Sequence, residues 1–417
     1  MDPVNSDHYP HASRAQPVTA GIVTALVGFT SSFAVVLTGL RAVGASDTQA
    51  ASGLLALCVV MGLGIVFLAS RYRIPITLAW STPGAALLAG AGSVVGGWPA
   101  ALGAFVLVGV AIVVTGLIPK LSTLIAAIPV SLAQAMLAGI LLPLCTAPIS
   151  AVVHTPQTIA PVVITWLILQ RFYPRWSVLA AFTVAAIVIA VDRVTSNNSV
   201  SFGSIVPRLE LVMPQWTWQA AVALALPLYV VTMASQNVPG SAVMASCGYT
   251  VPWRSSMVLT GIGTAVAAPA GAHAINLAAI SAALAADEQA HPDPRKRWIA
   301  ALTAGWAYLL LGGCSAALAA LIVVAPAGIV ETIAGLALFG TLASALTSAL
   351  HRDADRHSAA ITFVVAASGV SAAGIGSAFW ALIAGLAVHA LGFVRRRPGG
   401  SKGHTSTGAH TAEESVA

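Results

Sequence analysis

The chain has 417 residues, 58% of them hydrophobic and only 8% charged, with a mean hydropathy of +0.88. A soluble domain carries about 25% charged residues and needs polar groups over much of its exterior, so this composition excludes a soluble globular fold and leaves lipid as the solvent. The net charge of +6 resides in basic residues scattered between apolar runs, so it reports membrane topology rather than a nucleic-acid partner.

Residues 1–17 are polar and lack the basic stretch and short apolar run of a cleaved signal peptide, which predicts that the first apolar run is retained as a span. A helix needs about 20 apolar residues to cross the hydrocarbon core. Runs approaching that length occur at 19–43, 48–69, 75–92, 99–118, 121–142, 156–170 and 174–191. A second set follows at 216–238, 252–266, 269–286, 298–324, 327–350, 358–370 and 375–394. The expected architecture is an all-α integral membrane protein of about 14 spans. It divides into a cytoplasmic tail (1–17), a first seven-span unit (18–192), an extracytoplasmic linker (193–213), a second unit (214–395) and a disordered cytoplasmic tail (396–417).

Charge tests the count. With the N-terminus in the cytoplasm, fourteen crossings put 16 of the 19 Lys and Arg on the cytoplasmic side. Arg41, Arg193 and Arg208 fall outside, as the positive-inside rule requires. Dropping one span would carry Arg395, Arg396 and Arg397 to the wrong face. An odd number of spans per unit makes the second unit an inverted copy of the first. The third span (Pro75 and Pro83 around Ser81-Thr82) and the tenth (Pro269-Ala270-Gly271) are both broken by Pro and Gly. Paired interruptions of this kind point to a transporter site near the bilayer midplane.

Broken helices leave backbone groups unpaired, which hydrocarbon does not tolerate, so they belong where protein, water or ligand can meet them. Half-helices starting near Ser81–Thr82 and near Gly271–His273 would aim two positive ends at one point, an anion site that needs no arginine. Two ordinary kinked helices are the alternative. His273 and Asn276, one helical turn apart, would share a face. His273 would couple a proton to a bound carboxylate, or serve only as a packed histidine. Gln236 and Asn237 before Pro239-Gly240 either cap unwound backbone or contact substrate. Glu331, the one acidic residue well inside a span, is a second proton-carrier candidate or a wet interfacial glutamate. Thr30–Ser32 and His389 read as packing groups, and 291–297 (HPDPRKR) as a stiff, basic cytoplasmic loop.

The four cysteines, Cys58, Cys145, Cys247 and Cys314, are dispersed in apolar sequence and form no metal or redox motif. Neither HExxH nor GxSxG occurs, so an enzyme is not expected, and no cofactor or metal is implied. A channel would need a ring of charges or a filter repeat, and none is visible.

The strings LVGFTSS (26–32), LAWSTPGAALL (78–88), SQNVPG (235–240) with Gly248-Tyr249, HAINLAAIS (273–281) and AHPDP (290–294) resemble the benzoate:proton symporter family, the BenE-type transporters. The likeness spans roughly 20–394. That family is similar to uracil-permease and anion-exchanger-like transporters. The resemblance therefore implies two intertwined inverted seven-span repeats, with a core domain of spans one to four and eight to eleven and a gate domain from the rest. Substrate would lie between the third and tenth spans, each beginning as a short strand. It further implies symport of benzoate or a similar aromatic carboxylate with protons across the inner membrane, often by a homodimer. Ser81, Thr82, Gln236, His273 and Asn276 match at substrate-facing places, with Trp80, Asn237 and Gly271 beside them. Uracil-type relatives carry acidic residues on the eighth and tenth spans. Here Gln236 or Asn237 and His273 stand in those regions. Asp287-Glu288 is more acidic than the family pattern.

Overall fold

The computed structural model describes residues 15–395 apart from 93, 127, 196–205, 371 and 373–375. The two expected tails lie outside these residues, except for 15–17, as does Ile375 at the start of the last predicted span. So does part of the predicted linker, of which 193–195 and 206–213 are described.

In chain order, α1 (Gln16–Thr30) and α2 (Phe33–Ala42) share one axis interrupted at Ser31–Ser32, and α3 (Asp47–Tyr72) follows. Ser46 and Gln49 close a capping box at the start of α3. Next come a strand, β1 (Leu78–Trp80), a half-helix, α4 (Thr82–Ala91), and α5 (Gly97–Leu117). The first half ends with α6 (Pro119–Ala126), α7 (Val130–His154), α8 (Pro156–Phe172) and α9 (Pro174–Thr195).

The eighth segment is one continuous helix from Trp218 to Ser246. It comprises α10 (Trp218–Ala220), α11 (Leu226–Thr232) and α12 (Val238–Ser246), joined by π-helical turns at Ala221–Ala225 and Met233–Asn237. α13 (Trp253–Ala267), β2 (Ile275–Leu277) and α14 (Ile280–Ala286) make the ninth and tenth segments. α15 (Trp298–Gly312) and α16 (Ser315–Val323) meet at a 51° bend. α17 (Ile329–Leu350), α18 (Arg356–Ala367) and α19 (Ser377–Arg395) complete the chain.

Seven helices among the described residues are long and apolar enough to cross a bilayer, or eight when the bent α15–α16 pair is counted as one span. α8, α13 and α18, with 17, 15 and 12 residues, are shorter than a full span. The predicted fifth span, 121–142, is corrected. α6 stops before Pro129, and α7 runs to His154 through Pro143 and Pro148. Proline removes the N–H that would bond four residues back, so Pro143 and Pro148 free the Gly139 and Leu144 carbonyls, and the helix continues because α17 packs along it.

Helix packing relies on absent side chains. α5 crosses α13 where a Cβ on Gly109 would sit 2.6 Å from the Gly261 oxygen. α3 crosses α15 at Gly62 and Gly305, where a Cβ on Gly62 would lie 2.7 Å from the Gly305 oxygen. Small residues that let backbones touch are how helices associate when lipid removes the hydrophobic drive between them. In a separate group, α7 lies along α17 and α18, α8 pairs with α9, and α18 with α19. That group holds a buried carboxylate. Asp355 Oδ2 accepts from Ser131 Oγ at 3.0 Å, and His389 Nδ1 lies 3.4 Å from Asp355 Oδ1.

Candidate binding site at the strand crossing

β1 and β2 pair antiparallel, with Leu78 opposite Leu277, Ala79 opposite Asn276 and Trp80 opposite Ile275. The ladder extends at both ends. Ser81 N–H donates to Ala274 O at 2.9 Å, and Ala278 N–H to Thr77 O at 3.0 Å. Two strands buried among helices leave outward N–H groups with no third strand, and each such group must find an acceptor. On β2 they find side chains. Ile275 N–H reaches Thr264 Oγ1 of α13 at 3.1 Å, and Leu277 N–H reaches Asn237 Oδ1 at 2.9 Å.

The second π-turn explains how Asn237 gets there. A π-turn adds a residue to the helical turn and reorients the side chains that follow; such bulges are common at functional sites. Here it spans Met233–Asn237 and packs against β2, so that Asn237 bonds Leu277 while Gln236 Oε1 takes the Asn276 Nδ2 at 3.4 Å.

Ser81 is the hub of the other side. Its hydroxyl accepts the Gly84 N–H at 3.1 Å and caps α4, and Thr232 Oγ1 donates to it at 2.9 Å. With Pro83 lacking an N–H and Gly84 capped, Thr82 is the position whose N–H faces the open end of α4. His273 Nε2 bonds the Ser81 carbonyl at 3.1 Å, and its ring sits edge-on to Phe105 at 6.3 Å. A carbonyl only accepts, so this contact assigns the hydrogen to Nε2. His273 Nδ1, Asn276 Oδ1 and Ser235 Oγ are buried and make no hydrogen bond among the described residues. No Lys, Arg, Asp or Glu occurs in 77–83, 232–237 or 271–279. Ala79, Thr82, Gln236 and Ala279 keep partial exposure at the centre of the crossing.

Several expectations change. The second half-helix begins at Ile280, nine residues beyond Gly271, because 275–277 pairs as a strand. Gly271 instead adopts φ +101° in a turn against α3, where a Cβ would lie 3.0 Å from the Gly53 Cα. His273 and Asn276 do not share a helical face. On extended backbone, residues three apart point to opposite sides, so His273 faces Ser81 and Phe105 while Asn276 faces Gln236.

The Trp80 indole is 2% exposed and turned into the core. Its Nε1 donates to Ser32 Oγ at 2.8 Å, and Phe29 and Tyr308 pack edge-on to it. Glu331 is exposed in the first turn of α17, where a carboxylate suits the helix dipole, and takes no part in the crossing. Arg297, expected in a stiff, basic loop, is buried and binds the carbonyls of His291 and Ala286 at 2.7 and 2.8 Å, tying down the end of α14.

Thr232, Thr264 and Phe105 were not legible as site residues. Thr264 illustrates why, since its hydroxyl bonds Thr260 O at 2.8 Å as helical threonines do, and only the fold shows it also accepting from β2.

Residues 12–391 match the family described as Benzoate membrane transport protein. The chain is 36% identical over 371 residues to the inner membrane protein YdcO of Escherichia coli, covering 88% of this chain and 93% of that protein. It is 29% identical over 372 residues to the benzoate membrane transport protein of Acinetobacter baylyi, covering 88% and 92%. Among solved structures, the transmembrane domain of the cyanobacterial bicarbonate transporter BicA superposes with a TM-score of 0.56 at 15% identity, covering 92% of this chain and 98% of that one. SLC26A9 superposes at 0.64 and 12% identity, covering 91% and 66%. These structural likenesses establish a shared fold. By the match along almost its whole length, this multi-pass membrane protein belongs to the benzoate membrane transport protein family and is a transporter rather than an enzyme.

Proposed function

We propose that the protein is a proton-coupled symporter carrying benzoate or a related aromatic carboxylate into the cell, with its substrate bound at the crossing of β1 and β2. The observation that carries this reading is a polar, charge-free crossing beside the open end of α4. A carboxylate there gains the Thr82 N–H and hydroxyl and the positive end of a ten-residue helix. Gln236 and Asn276 contribute amide groups beside it. His273 is the proton carrier. With Nε2–H held by Ser81 O, Nδ1 receives the proton, and a nearby carboxylate favours the charged ring. Loading of anion and proton is then mutually reinforcing.

In this reading fourteen segments form two inverted units, 18–192 and 214–395, joined through 193–213, with both termini cytoplasmic. Matched packing supports it: α3 on α15 corresponds to α13 on α5, and α8 with α9 corresponds to α18 with α19. A core of segments one to four and eight to eleven moves against a gate of the remaining helices, carrying the crossing from one side to the other.

The test is uptake of labelled benzoate into proteoliposomes under an imposed pH gradient. Accumulation that collapses with a protonophore supports the reading. Accumulation indifferent both to the gradient and to His273→Ala overturns it. Because BicA is described as a bicarbonate transporter, bicarbonate serves as a competitor, and its preferential transport would reassign the substrate.

A further inference from the structure

The side of the β1–β2 ladder that meets the eighth segment has more hydrogen-bonding capacity than the protein uses. Side chains alternate along a strand, and residues opposite one another share a side. Thr77, Ala79 and Ser81 therefore lie on one side with Ala274, Asn276 and Ala278. The contacts agree. Ser81 meets Thr232 and Asn276 meets Gln236, both on the eighth segment, whereas Trp80 on the other side meets Ser32. Leu78 and Ile275, also on that other side, press against Gly64 and Gly263.

The floor of the first side is alanine. Ala79, opposite Asn276, keeps partial exposure and has no side chain beyond Cβ, so a flat ring can lie over it. Beside it two polar atoms, Asn276 Oδ1 and Thr77 Oγ1, are buried without a partner among the described residues. The Asn276 amide has a fixed orientation, because its Nδ2 lies 3.0 Å from the Leu277 carbonyl, which only accepts. Oδ1 is thus an acceptor, and a carboxylate, itself only an acceptor, cannot satisfy it. A buried acceptor left unmet carries its full desolvation penalty, so a ligand that brings a donor to it is favoured.

Position says where the ligand carries that donor. Thr82 is three residues beyond Ala79, roughly 10 Å at the rise of a strand. A benzene ring with a carboxylate at one end and a hydroxyl at the other bridges such a gap with one hydrogen bond of about 2.8 Å at each end. The hydroxyl also accepts, so it can take the hydrogen of Thr77, a diagonal neighbour of Asn276 at about 7–8 Å across the ladder.

We propose that Asn276 selects a benzoate bearing a hydroxyl opposite its carboxylate. Oδ1 accepts from the ring hydroxyl, Thr77 donates to it, and the ring lies over Ala79. This rests on the seating of a carboxylate at Thr82 proposed above.

The test is competition against uptake of labelled benzoate into proteoliposomes by 4-hydroxybenzoate and 4-fluorobenzoate. Fluorine is close to a hydroxyl in size but donates no hydrogen bond. 4-Hydroxybenzoate is expected to halve uptake at about one tenth of the concentration that 4-fluorobenzoate requires. Equal potency overturns the proposal and would show that water meets Oδ1. In Asn276→Ala the ratio between the two competitors should fall close to one, and a ratio unchanged from wild type overturns the assignment to Asn276. Thr77→Val keeps the shape of the side chain and should reduce the ratio severalfold, which keeps the test decisive where Asn276→Ala does not fold. An unchanged ratio there overturns the Thr77 contact. Failure to accumulate benzoate without any competitor is a separate result, because it overturns the transport reading and this inference with it.

Discussion

Asn237 Oδ1 accepts the Leu277 N–H at 2.9 Å, forty residues further along the chain, and closes one edge of a two-stranded sheet buried among helices. Both groups are sealed from water. Replacing Asn237 by Ala leaves a buried amide without an acceptor, which costs about 1–3 kcal/mol. Asn237→Ala should lower the thermal midpoint in detergent and reduce uptake. A midpoint identical to wild type would show that Leu277 has another acceptor.

Ser81 joins three structures through one residue: the α4 cap, Thr232 and His273. Ser81→Ala removes the cap, worth about 0.5–2 kcal/mol, and leaves the carbonyl contact to His273 intact. The expected result is weaker substrate binding, seen as a raised KM for uptake, with Ser81→Thr retaining the wild-type value. Thr232→Val should produce a smaller change in the same direction.

His273→Gln tests coupling separately from folding. Glutamine can still donate to the Ser81 carbonyl but cannot carry a proton at the Nδ1 position. Uphill accumulation under a pH gradient should be lost while exchange of labelled for unlabelled substrate persists. Gradient-driven accumulation at the wild-type level would move the proton to another group.

The α5–α13 crossing depends on the 2.6 Å that a Cβ on Gly109 would leave to the Gly261 oxygen. Backbone cannot yield as a flexible side chain does, so Gly109→Val should separate the helices and lower the thermal midpoint by several degrees or abolish expression. Gly340→Ala, where a Cβ meets nothing within 4 Å, serves as the control and should behave as wild type. Equal behaviour of the two variants would refute close packing at Gly109.

Composition alone determined that lipid is the solvent, because 58% hydrophobic and 8% charged residues cannot be wetted. Proline and glycine in the third and tenth segments located the interruptions, since their backbone chemistry acts locally. The motifs around Ser81, Gln236, His273 and Asn276 marked residues that do gather at one crossing. Local signals could not say which way those residues point. His273 and Asn276 look like helix neighbours in sequence, but pairing of Ile275–Leu277 with Leu78–Trp80 puts them on opposite sides. Trp80 looked available to a ligand until Ser32, Phe29 and Tyr308 enclosed it. Thr232 and Thr264 gained their partners only through contacts 151 and 11 residues away. Hydropathy and backbone-breaking residues act within a turn or two of chain, whereas strand pairing and buried hydrogen bonds depend on which segments meet. That meeting, and with it the shape of the site, was decided by tertiary structure.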